Sequence, residues 1–159
     1  MKTFSDAAPF QPSHGFLGIG VAEEQGDNVA AHVILVRMDV QLIIQVLVNL
    51  IDNAIKYTPK GSKICIRGMK CNGKAQICVE DNGPGIADEM KPYIFEMFYT
   101  GKSTIADSQR SLGLGLSLCQ SIIEAHDGRL LLTDNTPRGC IFTFTLPLSE
   151  VTLSQLPTT

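Results

Sequence analysis

The sequence has no tryptophan, few aromatic residues and no excess of positive charge. Its 159 residues include 13 Lys and Arg against 16 Asp and Glu, which gives a formal net charge of −3. Proteins that bind nucleic acid or anionic membranes usually carry basic clusters, and this balance gives no such footprint. We therefore expect no nucleic-acid partner and no direct membrane contact, and a phosphate-bearing ligand would have to be held by local donors.

Long hydrophobic runs and paired cysteine motifs are also lacking. No apolar run approaches the roughly 18 residues that span a bilayer, and the first residues lack the basic start and apolar centre of a signal peptide. The cysteines are odd in number and form no C-x-x-C pair, which favours reduced, buried thiols in a cytosolic protein. They are Cys65, Cys71, Cys78, Cys119 and Cys140.

Local signals divide the chain into a central domain and two ends. A chain of this length suits one compact core, so we expect a flexible segment over 1–15, one globular domain over 16–148 and a tail over 149–159. Apolar residues recur at helical spacing from Val40 to Tyr57, between Asp39 as N-cap and a stop at 58–61. The other predicted elements are one or two strands within 16–38, strands over 63–68, 75–81, 129–134 and 140–146, a short helix over 90–98, a polar lid loop over 99–112 and a helix over 113–126.

Polar side chains lie along one edge of the first helix. Asn49, Asn53 and Lys56 are spaced i, i+4 and i+7, so they share a side at the margin of the apolar stripe. Polar groups at such a margin can face a cleft. The alternative is a solvated flank or hydrogen bonds from helix to loop.

Two glycine motifs follow the helix. In Asp81-Asn82-Gly83-Pro84-Gly85-Ile86 an acidic residue closes a strand, and the glycines let the backbone approach a flat polar ligand closely. The alternative for Asp81 is a carboxylate that only stabilises the turn. In Gly113-Leu114-Gly115-Leu116 the glycines open a helix, whose free N–H groups favour phosphate.

Together these motifs resemble the nucleotide-binding domain of sensor histidine kinases, in the superfamily shared with DNA gyrase, the Hsp90 chaperones and the MutL repair proteins. The order is an N box around Asn49 and Asn53, a first glycine box at Asp81, a phenylalanine box at Phe95 and Phe98, and a second glycine box at Gly113. The resemblance covers roughly residues 38–147. It implies a two-layer α/β sandwich, in which a mixed, mostly antiparallel sheet is covered on one face by three helices.

The resemblance also implies roles for single residues in binding Mg-ATP. Asn53 would be the magnesium ligand, with Asn49 supporting metal or phosphate, and Asn49 and Lys56 would be the catalytic pair. Asp81 would accept a hydrogen bond from the exocyclic amine of adenine, and Tyr57 would cover one face of the ring. The other implied nucleotide contacts are Gly83, Gly85, Ile86, Lys102, Arg110, Gly113, Leu114, Gly115, Leu116 and Thr143.

Three features set limits to this interpretation. Gyrase-like relatives have a Glu at the position of Asn49, which argues here against vigorous ATP hydrolysis and for transfer to another acceptor. Ser111 stands where many relatives have the first glycine of the second box. His14, His32 and His126 all lack the His-Glu/Asp-x-x-x-Pro setting of a phosphoacceptor.

The expected function is therefore the ATP-binding catalytic domain of a two-component sensor histidine kinase. It would donate the γ-phosphoryl group of ATP to a histidine on a dimerisation domain outside this chain, with a response regulator as the next acceptor. The domain would be cytoplasmic in a membrane-anchored bacterial kinase, and the motifs look most like the Kdp-type potassium sensors. The alternatives are an anti-sigma-type serine kinase and a non-catalytic nucleotide-binding module of the same fold.

Overall fold

The computed structural model describes residues 15–25, 28–97 and 115–148, and the side chains of 36–97 and 115–148. The described part contains six strands and two α-helices. In chain order they are β1 (Gly15–Gln25), β2 (Asn28–Met38), α1 (Val40–Tyr57), β3 (Ile64–Cys71), β4 (Lys74–Asp81), α2 (Gly115–Ala125), β5 (Arg129–Asp134) and β6 (Cys140–Pro147). A single 3₁₀ turn lies at Lys91–Tyr93. None of the described helices is both long and apolar enough to cross a membrane.

The strands form two antiparallel sheets. β1 and β2 pair as a hairpin, and the other four strands have the order β3-β4-β6-β5. Asn72 and Gly73 join β3 to β4 with φ angles of 49° and 72°, which is the left-handed backbone that a two-residue hairpin turn needs. The hairpin predicted from this residue pair is confirmed.

Helix α1 begins and ends where the sequence predicts. The carboxylate Oδ1 of Asp39 accepts hydrogen bonds from the backbone N–H groups of Gln41 (3.0 Å) and Leu42 (3.2 Å), so this residue is the N-cap. At the other end the Thr58 hydroxyl donates to the carbonyl of Ala54 at 2.6 Å. Both ends are therefore held by side chains close in sequence.

Helix α2 packs against α1 in the opposite direction. The backbone N–H of Asp39 donates to Nε2 of His126 (3.0 Å), and Nδ1 of the same ring lies 2.7 Å from the carbonyl oxygen of Ile122. Further along, the Cys119 thiol contacts the Val46 carbonyl at 3.8 Å. This pairing places the first residues of α2 beside the middle of α1.

Both helices cover one face of the four-stranded sheet. Alternate residues of β4 and β6 point to this face and are buried. The largest fully buried side chains of the core are those of Phe144, Met38, Leu50, Ile123, Leu146, Val36, Val46, Val79 and Cys119. The predicted α/β class is confirmed.

Within the described ranges the sheets are antiparallel throughout, and two α-helices are present. The third helix of the predicted fold stays a prediction, because residues 98–114 lie outside the described ones. The helix predicted over 90–98 is a series of tight turns as far as Met97, because the backbone bonds of Met90, Tyr93 and Glu96 each reach a carbonyl three residues earlier. Residue 98 and the lid predicted over 99–112 lie outside the described residues.

Candidate functional site

An open cavity of about 720 Å³, including its mouth, lies between α1, the end of β4 and the start of β6. The residues that line it are Asn53, Ala54, Tyr57, Thr58, Asp81, Pro84, Gly85, Ile86, Met90, Ile94, Leu116, Cys140 and Phe142. Most of these side chains are apolar, so the few polar groups among them determine what the cavity can recognise.

Asp81 is the buried acidic residue of the cavity, with 7% of its surface exposed. Its Oδ1 accepts hydrogen bonds from the backbone N–H groups of Gly83 (2.9 Å) and Cys140 (3.3 Å). Oδ2 makes no hydrogen bond to the residues that the structure describes. The carboxylate is therefore oriented by the backbone and keeps one oxygen available to a ligand.

The two glycines after Asp81 are required for different reasons. A Cβ on Gly83 would lie 2.5 Å from Cγ2 of Thr58, so the close packing of the turn on the end of α1 excludes a side chain. Gly85 has a φ of 80°, which only glycine adopts without strain. The turn thus brings Gly85 and Ile86 to the cavity wall.

Helix α1 contributes its polar edge and its C-terminal end. Asn53 and Tyr57 line the cavity, and 53% of Tyr57 is exposed. Lys56 is exposed and does not line the cavity; its Nζ lies 5.2 Å from the centre of the Tyr57 ring. Asn49 lies against α2, since a Cβ on Gly115 would lie 3.9 Å from its amide Cγ.

The start of α2 borders the same cavity through Leu116. Four predicted contacts, Lys102, Arg110, Gly113 and Leu114, lie outside the described residues. Of the second glycine box, the structure therefore describes Gly115 and Leu116 only.

Thr143 is not among the residues of the cavity wall. It lies on the opposite face of the sheet from Phe142 and Phe144, and its hydroxyl is 3.4 Å from the Cys78 thiol. Adjacent residues of a strand point to opposite faces of the sheet. Phe142 and Phe144 face the helices, so Thr143 between them faces away from the helices. The expected contact of its hydroxyl with adenine therefore does not fit this geometry, and Cys140 and Phe142 line the cavity from β6 instead.

Several wall residues were not predicted from the sequence. Cys140 and Phe142 alternate with Thr143, so the two-residue period of β6 contained the signal that places them with the core. Burial raises the pKa of the Cys140 thiol to about 11, with a further contribution from the nearby Asp81 carboxylate, so this thiol is protonated at neutral pH. Met90 and Ile94 come from the turns after Gly85, and Ile94 directly precedes Phe95 of the phenylalanine box.

The arrangement suits a flat ring that carries a hydrogen-bond donor at its edge. Apolar walls and Tyr57 fit the faces of a ring, and Asp81 offers an acceptor at its edge. The described residues include no group of three His, Cys, Asp or Glu side chains that could cage a metal ion. Magnesium commonly binds with few protein ligands, waters and substrate phosphates, and the Asn53 amide oxygen suits that mode.

Comparison with known proteins agrees with this geometry. Residues 38–150 match the family of histidine kinase-, DNA gyrase B- and HSP90-like ATPases. The chain belongs to this family. Within these ATPases its curated relatives include the sensor protein KdpD of Clostridium acetobutylicum, 43% identical over 120 residues, and the adaptive-response sensory kinase SasA of Nostoc sp., 44% identical over 114 residues.

Solved structures of the family share the fold. The catalytic domain of the histidine kinase ThkA in a nucleotide-free form has 36% identity and a TM-score of 0.61, over 72% of this chain and 71% of that one. ThkA in complex with the response regulator TrrA has 34% identity and a TM-score of 0.59, over 72% of this chain and 31% of that one. The ATPase-family domain described here therefore has the architecture of histidine kinase catalytic domains.

The chain spans only part of its curated relatives. The match covers 76% of this chain but 13% of the KdpD protein, and 71% of this chain but 28% of the SasA protein. The relatives thus contain long regions besides the ATPase-family domain.

Proposed function

We propose that this chain is the ATP-binding catalytic domain of a two-component sensor histidine kinase. The observation that carries the proposal is the Asp81 carboxylate, buried at the cavity wall with Oδ1 held by two backbone N–H groups. A fixed, uncommitted Oδ2 in an apolar cavity is a specific acceptor for an N–H donor of a ring.

Adenine carries such a donor in its exocyclic amine, whereas guanine has a carbonyl oxygen at that position. Asp81 would therefore accept a hydrogen bond from adenine and repel guanine. Tyr57 would lie over one face of the ring, and Ile86 and Phe142 would pack against its apolar surface. Gly83 and Gly85 would shape the turn that lets the backbone approach the base.

The phosphates would extend toward the start of α2, with Asn53 as the magnesium ligand. Bound Mg²⁺ would supply charge neutralisation of the phosphates. Asn49, beside Gly115, would support metal or phosphate, and Lys56 would add a positive charge from α1. Gly115 and Leu116 would offer backbone N–H groups at the helix N-terminus, with Gly113, Leu114, Lys102 and Arg110 as further phosphate contacts.

The γ-phosphoryl group would pass to a histidine on a separate dimerisation domain and then to a response regulator. Positioning and charge stabilisation would supply most of the catalysis. Asn49 supports transfer over hydrolysis, because an amide cannot act as the general base that a Glu provides to water. The names of the KdpD and SasA relatives, and the ThkA complex with its response regulator, support the same assignment.

The similarity to KdpD supports a place for this domain on the cytoplasmic side of a membrane-anchored bacterial kinase of the Kdp type. Phosphoryl transfer from ATP requires the nucleotide pool of the cytoplasm, which agrees with this placement. Transfer to a purified histidine-bearing dimerisation domain would separate this function from a serine kinase or a module that only binds nucleotide.

The proposal is tested by calorimetric titration of the chain with ATP, ADP and GTP, with and without Mg²⁺. We expect binding of ATP and ADP, little binding of GTP, and a loss of at least about 30-fold in ATP affinity for Asp81→Asn. The amide of Asn would turn one acceptor into a donor against the adenine amine.

Asp52→Asn is the matched control, because it makes the same change at an exposed position of α1 outside the cavity. We expect wild-type affinity for this variant. Equal binding of ATP and GTP by the folded wild-type chain, or unchanged ATP binding by Asp81→Asn, would contradict the assignment of the cavity.

A further inference from the structure

The loop between β5 and β6 (residues 135–139, called here the β5–β6 turn) packs directly on the backbone of Asp81. The side-chain amide Nδ2 of Asn135 donates a hydrogen bond of 2.8 Å to the Asp81 carbonyl oxygen. The two residues are 54 positions apart, so this contact exists only in the folded domain. It connects the β5–β6 turn, which has no assigned role, to Asp81, the buried carboxylate of the cavity.

On the β6 side of β4, the ladder ends before Asp81. The pairing of β4 with β6 ends at Glu80 opposite Ile141, one residue before Asp81. The next N–H of β6, that of Cys140, bonds to the Asp81 side chain instead. A buried carbonyl oxygen needs a hydrogen-bond donor. The side-chain amide of Asn135 supplies this donor, because β6 does not.

The orientation of the Asn135 amide is determined by its neighbours. Its Oδ1 accepts a hydrogen bond from the backbone N–H of Thr136 at 2.8 Å, which leaves Nδ2 for the Asp81 carbonyl. The backbone N–H of Asn135 donates a hydrogen bond to the Gly139 carbonyl at 2.9 Å and closes the turn. Both ends of the side-chain amide are thus used, and its position is fixed.

Gly139, at the other end of the turn, lies against the same carbonyl. A Cβ at this position would lie 1.9 Å from the Asp81 oxygen and 2.7 Å from its carbonyl carbon, and the φ of Gly139 is 115°. The lack of a side chain at Gly139 therefore allows the turn to lie directly against the Asp81 carbonyl.

Ion pairs of Lys91 connect the start of the β5–β6 turn to the segment over residues 88–91, which borders the cavity. Lys91 Nζ lies 2.7 Å from Oδ2 of Asp134, the residue before Asn135, and 2.5 Å from Oδ1 of Asp88. Lys91 follows Met90, which lines the cavity. Three chain segments are thus held together around Asp81.

We propose that the β5–β6 turn is the positioning element for adenine recognition, with Asn135 as a positioning residue that acts through the Asp81 backbone. The inference rests on the proposed function, because it assumes that Asp81 accepts the adenine amine. If Asn135 holds the Asp81 backbone, a change in Asn135 alters the affinity for ligands that use the amine and spares ligands that lack it.

The test compares ATP with inosine triphosphate, which has a carbonyl oxygen in place of the amine. Asn135→Asp keeps the size of the side chain and the acceptor for Thr136 but removes the donor to Asp81. We expect the ratio of ATP affinity to inosine triphosphate affinity to fall about fivefold or more, mainly through weaker ATP binding. Asn135→Ser, whose hydroxyl can still accept from Thr136 but cannot reach Asp81, should give the same direction and provides a second variant if Asn135→Asp does not fold.

Arg138→Ala is the matched control, since it changes an exposed side chain of the same turn. We expect it to leave the ratio unchanged. In an Asp81→Asn background the Asn135 substitutions should no longer change the ratio, because the two residues act as one unit.

The outcomes distinguish the two proposals. A wild-type chain that binds both nucleotides equally overturns the role of Asp81 in the proposed function. A wild-type chain that prefers ATP, together with folded Asn135 variants that keep the wild-type ratio or lose both affinities equally, overturns the positioning role alone.

Discussion

Gly83 shows how one residue can be required by packing rather than by backbone conformation. Its φ lies outside the left-handed region, yet an added Cβ would lie 2.5 Å from Cγ2 and 3.2 Å from Cβ of Thr58. Its N–H also orients the Asp81 carboxylate. The glycine thus allows the turn to pack on the end of α1 while it holds the carboxylate in place.

We predict that Gly83→Ala weakens ATP binding about tenfold or more, because the added methyl moves the Gly83 N–H away from Asp81. Thr58→Ser removes Cγ2 and retains the hydroxyl that bonds to the Ala54 carbonyl. The double variant should therefore recover part of the lost affinity, measured by calorimetry. A single Gly83→Ala variant with wild-type affinity would show that the contact with Thr58 relaxes without cost.

The contact between helices α1 and α2 joins the two sides of the cavity. α1 carries Asn53 and Tyr57, α2 carries Leu116, and Cys119 lies fully buried between the helices. Burial is the main cause that raises the pKa of the Cys119 thiol to about 11. The folded state therefore keeps this proton at a pH where the unfolded chain has released it.

This difference predicts a loss of stability at alkaline pH. Between pH of about 9 and 11 the native state binds more protons at Cys119 than the unfolded state does, so the free energy of unfolding falls as pH rises. The pKa shift corresponds to about 3 kcal/mol, fully lost only above pH of about 11. Cys119→Ala should remove this part of the pH dependence, measured as the difference in urea stability between pH 8 and pH 11.

Cys71→Ala is the control, because Cys71 is a half-buried thiol at the end of β3, away from the helices. Cys140, whose thiol pKa is also raised to about 11, is present in all three proteins, so its effect cancels in the comparison. If Cys119→Ala loses as much stability as wild type over this range, the buried thiol is not the source.

At the scale of the whole molecule, the parts predicted correctly from the sequence are those that depend on near neighbours. The bounds of α1 followed from its apolar period and the Asp39 cap, and the β3–β4 hairpin followed from Asn72-Gly73. Asn53 and Asp81 were predicted by motif and do line the cavity. Each of these signals lies within a few residues of the feature that it predicts.

The parts that were missed depend on distant contacts. The bond from Asn135 to Asp81 joins a turn to a strand that is far away in sequence, and no local pattern records it. Thr143, assigned to the nucleotide by the resemblance, lies on the opposite face of β6 from Phe142 and Phe144 and does not line the cavity. The short helix predicted over 90–98 is wrong as far as residue 97, because the backbone bonds around Pro92 are of the 3₁₀ type.

The N-terminal limit of the domain depends on the packing of the whole molecule. The family match begins at residue 38, whereas the core includes Val36 and Met38 at the end of β2, both with 0% of their surface exposed. Strand β2 thus supplies apolar side chains that the helices and the sheet need to fill the core. The start of the domain at residue 16 stays a prediction.

We predict that Met38→Ala lowers the free energy of unfolding by about 2–5 kcal/mol, the range for truncating a large buried side chain. Arg37→Ala, at the adjacent exposed position of the same strand, should cost clearly less. Urea unfolding of both variants measures the difference, and added ADP should raise the stability of each folded variant if the nucleotide site survives. Equal, small losses at both positions would mean that the end of β2 is dispensable for the core.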